Sequence, residues 1–208
     1  MILKQFTLGA LEDNNYLLID DGENGSKEAV LIDCTEYSED IANTLNEHGA
    51  TLKYILLTHG HFDHVLGVND FKAKYDCKVL INEADQAILD TMSEFTKNFL
   101  PINVEVQKVD GYVKEDDIIK FGKNEIRVID TSGHTKGGVC YLIDGIIFTG
   151  DTIFRGAVGR TDLIGGSFSQ LKSNIEKKIF TLDENIKIYP GHGPSSTIGW
   201  EKEHNKFL

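Results

Sequence analysis

Cysteine, proline and arginine are scarce in this sequence, with three residues of each among 208. Cys34, Cys77 and Cys140 never form a CxxC pair and are odd in number. That excludes a disulfide framework and points to free thiols in a reducing compartment, so a cytoplasmic location is expected. So few prolines, with no low-complexity tract and no repeat, leave little room for a linker. One domain spanning residues 1–208 is therefore expected. Long apolar runs are also missing: stretches such as Ile55–Leu57 and Ile146–Phe148 are far too short to span a bilayer. The start, Met1 to Phe6, lacks the apolar core and small-residue cleavage site of a secretory signal. Neither a membrane protein nor a secreted mini-scaffold fits. Positive charge is short as well: 21 basic against 33 acidic residues give −12, which disfavours nucleic acid as a partner.

What is present is ordinary globular material, 40% hydrophobic and 26% charged. A chain of this length buries roughly 70% of its unfolded surface, enough for a core without staples. Alternation and β-branched content predict strands at Asn15–Asp20, Glu28–Asp33, Tyr54–Thr58 and Cys77–Ile81. Gly122-Lys123-Asn124 predicts a hairpin between 117–121 and 125–129. Asp144-Gly145, suited to the positive φ angles of a type I′ turn, predicts another between Val139–Ile143 and Ile146–Thr149. Helices are expected at Ser38–His48, Val65–Tyr75, Glu83–Met92 and Ser169–Phe180. In the last, Leu171, Ile175 and Ile179 fall on one apolar stripe. Two sheets packed face to face with helices outside would use all these elements.

The chemistry concentrates at strand ends. The apolar run Tyr54–Thr58 leads straight into His59-Gly60-His61-Phe62-Asp63-His64. Imidazole and carboxylate are preferred ligands of divalent first-row metals, and H-x-H spacing lets two rings on one side of an extended segment reach one ion. Asp63 and His64, one step further on, point at a second ion nearby. A lone histidine here would more often cap a helix, but four ligand-type residues in six positions favour metal. His134, Asp151 and His192 each follow an apolar run and a glycine, whose freedom suits a tight turn beside an ion. His48 and His204 lie in polar stretches and read as solvated surface residues.

His59-x-His61-x-Asp63-His64 followed by His134, Asp151 and His192 resembles the ligand set of the metallo-β-lactamase superfamily. Within it the sequence is most similar to small glyoxalase II-like (hydroxyacylglutathione hydrolase-like) enzymes. The likeness runs through Gly150-Asp151-Thr152-Ile153-Phe154, Gly159-Arg160-Thr161-Asp162-Leu163 and Pro190-Gly191-His192-Gly193-Pro194 with Thr197-Ile198-Gly199. The resemblance implies an α+β fold, a four-layer αββα sandwich. It implies that His59, His61 and His134 hold one metal, that Asp63, His64 and His192 hold a second, and that Asp151 bridges both. Two divalent ions are implied, Zn²⁺ first, with Fe or Mn compatible with the same donors. Asp33 matches an aspartate that supports the metal loop without touching the ions; a simple turn residue after a strand is the other reading.

Departures from the family pattern narrow the choice. Antibiotic-destroying metallo-β-lactamases usually lack the bridging aspartate, so Asp151 argues against them. Flavodiiron oxygen reductases carry Glu where His61 stands. Long glyoxalase II enzymes add a C-terminal helical domain that helps bind glutathione, and this sequence stops at Leu208 without one. Ser132 stands where proline is common.

The expected activity is thioester hydrolysis, with a hydroxide shared by two ions attacking the carbonyl and Asp63 orienting it. A thiolate leaves readily because its pKa is only about 8.5. The substrate is expected to be a small-molecule thioester. Arg160, and after it Arg155 and Lys136, are candidates to meet its negative charge, although Arg160 could simply pair with Asp162. Asp90–Tyr112, with Phe95, Phe99 and Pro101, is either a lid or ordinary packing. The alternative is a mononuclear-iron persulfide dioxygenase of the same fold. Such relatives lack Gly193-Pro194 and the Thr-Ile-Gly run, and carry a cysteine before Gly-Arg where this chain has Ala157-Val158.

Overall fold

The computed structural model describes residues 1–22, 27–97, 105 and 107–208. A hairpin of β1 (Ile2–Leu8) and β2 (Asp13–Ile19) opens the chain, and β3 (Lys27–Ile32) extends it antiparallel. Helix α1 (Glu39–His48) then crosses over to β4 (Ala50–Leu56), which runs parallel to β3. A 3₁₀ turn at Phe62–His64 and helix α2 (Val68–Lys74) lead to β5 (Lys78–Asn82). A second 3₁₀ turn, Glu83–Asp85, opens α3 (Gln86–Lys97), and β6 (Gly111–Val113) closes a sheet in the order β1-β2-β3-β4-β5-β6.

The second half repeats the theme. Strands β7 (Ile118–Phe121), β8 (Asn124–Asp130), β9 (Val139–Ile143) and β10 (Ile146–Gly150) form an antiparallel meander. A short ribbon of β11 (Ile153–Phe154) and β12 (Ala157–Val158) follows. Helix α4 (Phe168–Asn174) passes into a π turn at Ile175–Ile179. Then β13 (Lys187–Pro190) pairs parallel to β10, β14 (Ser196–Thr197) adds at the edge, and α5 (Ile198–His204) ends the fold. This sheet runs β14-β13-β10-β9-β8-β7.

Period-2 alternation sorts the apolar residues into three separate cores, and three cores need four layers. Tyr16, Leu18, Val30, Ile32, Val128, Tyr141 and Phe148 meet between the two sheets. Their strand neighbours Leu17, Ile19, Leu31 and Ile55 face outward onto Ile41, Leu45, Phe71 and Leu89 of the first helices. Ile129, Cys140 and Ile147 face the other way onto Leu171, Ile175, Ile179 and Ile198. The expected αββα sandwich is thus what forms, and the 171/175/179 stripe is its fourth layer. Truncating Ile175 to Ala would cost about 2–5 kcal/mol by the usual cavity penalty.

Several boundaries differ from expectation for identifiable reasons. The helix expected at Val65–Tyr75 begins only at Val68, because the preceding backbone bonds elsewhere. Cys34 N–H donates to the His64 carbonyl at 2.8 Å, and Gly67 N–H donates to the Cys34 carbonyl at 2.9 Å. The helix expected through Phe180 widens into the π turn, where Phe180 N–H reaches back to the Ile175 carbonyl at 2.8 Å. In the first expected hairpin, Asn124 belongs to the strand opposite Phe121, leaving Gly122-Lys123 as the turn. The Asp144-Gly145 turn has both positive φ angles, 46° and 75°. Strands β1, β6 and β11 to β14 and helix α5 are additions to the elements expected.

Strand direction sets one functional edge. The C-terminal ends of β3 and β4 in one sheet, and of β8, β10 and β13 in the other, open toward the same loops. Because β2 runs antiparallel to β3, its first residue, Asp13, lies at that edge as well.

Candidate metal centre

The loop after β4 is pinned before it reaches the first histidine. Asp33, held at φ 57° just after β3, accepts from Thr58 N–H and from Thr58 Oγ1, each at 2.8 Å. His64 Nδ1 donates to the same carboxylate at 2.9 Å. Thr58 has one hydroxyl proton and gives it to Asp33, so toward His59 Nδ1, 3.1 Å away, it acts as acceptor. His134 Nδ1 donates to the Arg160 carbonyl at 2.7 Å, and His192 Nδ1 to the Leu11 carbonyl at 3.2 Å. Four rings therefore spend Nδ1 on an anchor and turn Nε2 inward, the arrangement that fixes ring orientation and aim at metal sites. His61 completes the set, its Nδ1 facing His134 Nε2 at 2.9 Å.

Seven expected site residues converge, in two groups. His59, His61 and His134 each bring a ligand-type atom within 4.8 Å of the others'. Asp63, His64 and His192 form the second group, with His64 Nε2 and His192 Nε2 at 3.9 and 3.7 Å from Asp63 Oδ2. Asp151 lies between them. Its Oδ2 is 3.4 Å from His134 Nε2, while its Oδ1 is 3.4 Å from His64 Nε2 and 3.6 Å from His192 Nε2. Ligands about 2.0–2.2 Å from one ion at tetrahedral angles lie about 3.3–3.6 Å apart, close to these spacings.

Unpaired atoms show what the cluster is for. Among the described residues, the buried side-chain polar atoms without a hydrogen-bond partner are both oxygens of Asp13, His59 Nε2, His64 Nε2 and Asp151 Oδ1. Buried polar groups are nearly always satisfied, yet every exception here belongs to one cluster. The donor set fits divalent cations.

Electrostatics agree. Burial, then the neighbouring rings, keeps His59 well below the ordinary histidine value, and burial with His134 presses His61 down to about 4. Both are neutral at pH 7, the state that ligates a cation. His64 is lowered by burial but raised more by Asp151 and Asp33, and ends well above its ordinary value. Burial would raise Asp151, but His64, His134 and His192 hold it well below the carboxylate range. Asp13 is lifted to about 7 by burial, against His64 and with help from Asp63 and Asp151.

Two residues that the motif reading passed over brace the site. Asp85 accepts from Gly60 N–H at 2.9 Å, Thr135 Oγ1 at 2.7 Å and Gly137 N–H at 2.7 Å, tying the His59–His64 loop to the His134 loop. Its only sequence signal is a position in the Asn82–Asp85 turn. Asp13 lies in the polar stretch Glu12–Asn15 before the apolar run of β2, and only the strand pairing reveals where it sits. Tight backbone approach matters at Gly191, where a Cβ would meet Asp151 Oδ1 at 2.5 Å and His64 Cε1 at 2.8 Å.

A family model described as the metallo-beta-lactamase superfamily matches residues 10–199. The chain belongs to that superfamily. It is 32% identical over 203 residues to hydroxyacylglutathione hydrolase GloC of Haemophilus influenzae, covering 96% of this chain and 94% of that protein. The structure of BLEG-1 B3 metallo-beta-lactamase superimposes with a TM-score of 0.89 at 32% identity, covering 100% of this chain and 99% of that one. TTHA1623 in a di-iron-bound form gives 0.85 at 29% identity, covering 99% of this chain and 100% of that one. Probable metallo-hydrolase YqgX of Bacillus subtilis is 30% identical over 208 residues, covering 99% of this chain and 96% of that protein.

The cations expected to meet substrate are engaged differently. Arg160 makes a paired contact with Asp162, Nε to Oδ1 and NH2 to Oδ2, both 2.8 Å, and its side chain is exposed. Its carbonyl, not its guanidinium, serves the metal cluster. Arg155 stacks 4.9 Å from the Trp200 ring centre, and the Lys136 stem lies against Gly165. Of the candidate lid, Phe99, Pro101 and the Phe95 side chain lie outside the described residues. No helix among the described residues is long and apolar enough to cross a membrane.

Proposed function

We propose that this superfamily member is a dinuclear metal-dependent thioesterase of the glyoxalase II, or hydroxyacylglutathione hydrolase, type. The observation that supports it most is Asp151, whose two oxygens face different histidine groups at 3.4 Å. In this reading His59, His61 and His134 hold one ion, Asp63, His64 and His192 the other, and Asp151 is shared. Zn²⁺, Fe²⁺ and Mn²⁺ are all compatible with imidazole and carboxylate donors. The similarity to GloC supports the thioester class.

When bound, two such ions supply a water acidified from 15.7 to about 7 and a Lewis acid for the carbonyl. The rest falls to the chain. Asp33, Thr58 and the carbonyls of Leu11 and Arg160 aim the rings. Asp63 Oδ2, 3.7 Å from His192 Nε2, is placed to hold the proton of the attacking water and so orient it. The leaving thiolate, with a pKa of about 8.5, needs no proton donor from the protein. Arg160, Arg155 and Lys136 are the cations proposed to meet a substrate anion. For Arg160, that anion must displace Asp162.

One comparison on metal-loaded protein tests this reading: hydrolysis of S-lactoylglutathione, oxygen uptake with glutathione persulfide, and hydrolysis of a β-lactam. Thioester turnover with two ions per chain is expected. Oxygen uptake with a single iron would replace it with the persulfide dioxygenase. Faster β-lactam hydrolysis would replace it with the activity named for BLEG-1.

A further inference from the structure

The second cluster contains one carboxylate more than its motif supplies. Asp13 is 1% exposed, and neither of its oxygens has a hydrogen-bond partner. Its Oδ1 stands 3.4 Å from His192 Nε2 and 3.7 Å from His64 Nε2, the same spacing that Asp63 and Asp151 keep to those rings. One atom from each of Asp13, Asp63, His64 and His192 falls within a mutual 4.8 Å. No lysine or arginine among the described residues pairs with it; its ion-pair contacts are those two histidines. A carboxylate taken out of water with no donor is strongly disfavoured unless a cation meets it.

The backbone holds Asp13 there firmly. It pairs across an isolated bridge with His192, and the next residue ties down both sides of the same loop. Asn14 N–H donates to the Gly191 carbonyl at 2.7 Å, and Asn14 Nδ2 donates to the carbonyls of Pro190 at 3.1 Å and Gly193 at 2.9 Å. The hairpin turn and the His192 loop are thus one rigid unit, with the Asp13 side chain aimed into the cluster.

We propose that Asp13 is a direct ligand of the second ion, making that site carboxylate-rich and shifting its preference, relative to the first site, toward an oxygen-preferring divalent cation such as Mn²⁺. The inference rests on the two-ion reading above. The first group offers three imidazoles, and shares Asp151. The second offers two imidazoles with Asp13, Asp63 and Asp151. Imidazole suits Zn²⁺ and iron, whereas carboxylate oxygen suits Mn²⁺, so the two positions differ in preference. A third carboxylate also raises the negative charge that a dication at this position neutralises.

The test is metal binding, read apart from catalysis. Metal-free wild type and Asp13→Asn are titrated with Mn²⁺ and with Zn²⁺, with stoichiometry by elemental analysis and free Mn²⁺ by electron paramagnetic resonance. Wild type is expected to take two ions. Asp13→Asn should keep the first within about twofold and lose affinity for the second on the order of 100-fold, more for Mn²⁺ than for Zn²⁺. Thermal unfolding separates ligation from a structural role. Without metal, Asp13→Asn should unfold at a temperature equal to or above wild type, because it removes a buried carboxyl group whose oxygens have no hydrogen-bond donor; with Mn²⁺ its midpoint should rise less. A metal-free variant clearly less stable than wild type would overturn the proposal. So would a second Mn²⁺ bound as tightly by the variant as by wild type, with the two-ion reading left intact. Fewer than two ions on wild type would overturn both.

Discussion

Asp33 and His64 form the buried hinge of the site: the carboxylate takes His64 Nδ1–H at 2.9 Å and so points the opposite nitrogen at Asp151, 3.4 Å away. Replacing Asp33 with Ala leaves that ring unanchored and orphans Thr58 N–H. Affinity for the second ion should fall about 10–100-fold. Stability should fall by roughly 1–3 kcal/mol, the cost of a buried donor left unpaired. Metal titration beside urea unfolding checks both. An unchanged second-ion affinity would show that His64 is aimed by its own packing.

Asp85 touches no expected ligand, yet it joins the two ligand loops through three donors. Asp85→Ala strands two backbone N–H groups and a hydroxyl in a buried position. We expect a loss of roughly 2–4 kcal/mol in equilibrium unfolding, with weakened binding of the first ion because Gly60 lies between His59 and His61. A loss below about 1 kcal/mol would mean that water replaces the carboxylate.

The candidate ligands were legible in the sequence because they are locally dense. Four fall within six residues after an apolar run, and His134, Asp151 and His192 each sit behind a glycine at a strand end. Asp13 and Asp85 were not, because one opens a strand and the other ends a short turn, and each acquires meaning only from pairing across the fold. Asp13 faces His192 through a contact spanning most of the chain. The layer architecture followed from counting elements, but the shortened α2 did not, since its first turn is unmade by bonds to Cys34. Edge strand β1 escaped notice because Lys4 and Gln5 interrupt a half-buried pattern.

His61 sets a pH dependence. Its folded-state value of about 4 lies below the unfolded value of about 6.5. The unfolded chain therefore takes up a proton that the folded chain refuses as pH falls below 6.5. Its contribution to stability is lost progressively from there to about pH 4. Asp13, held at about 7, acts in the opposite sense, so the decisive comparison keeps Asp13 constant. Between pH 7 and 5, metal-free wild type should lose more stability in urea unfolding than metal-free His61→Gln. Equal losses would show that His61 is not held neutral by its surroundings.

The lack of a side chain at Gly159 is a requirement of the site. A Cβ there would sit 1.8 Å from the Asp151 carbonyl oxygen and 3.1 Å from His134 Nδ1. Neither neighbour can retreat. Asp151 is fixed between the two histidine groups, and His134 is held by the carbonyl of the very next residue, Arg160, at 2.7 Å. Gly159→Ala must therefore push the Arg160 carbonyl away from His134 and release the ring. We expect loss of first-ion binding on the order of 10–100-fold, and hydrolysis reduced at least as much. Gly138→Ala is the matched control: its nearest neighbour would be Thr135 Oγ1 at 3.4 Å, an ordinary contact. Metal titration of the two variants side by side checks the argument. Equal binding in both would mean that the loop carrying Gly159 moves freely and that Arg160 does not aim His134.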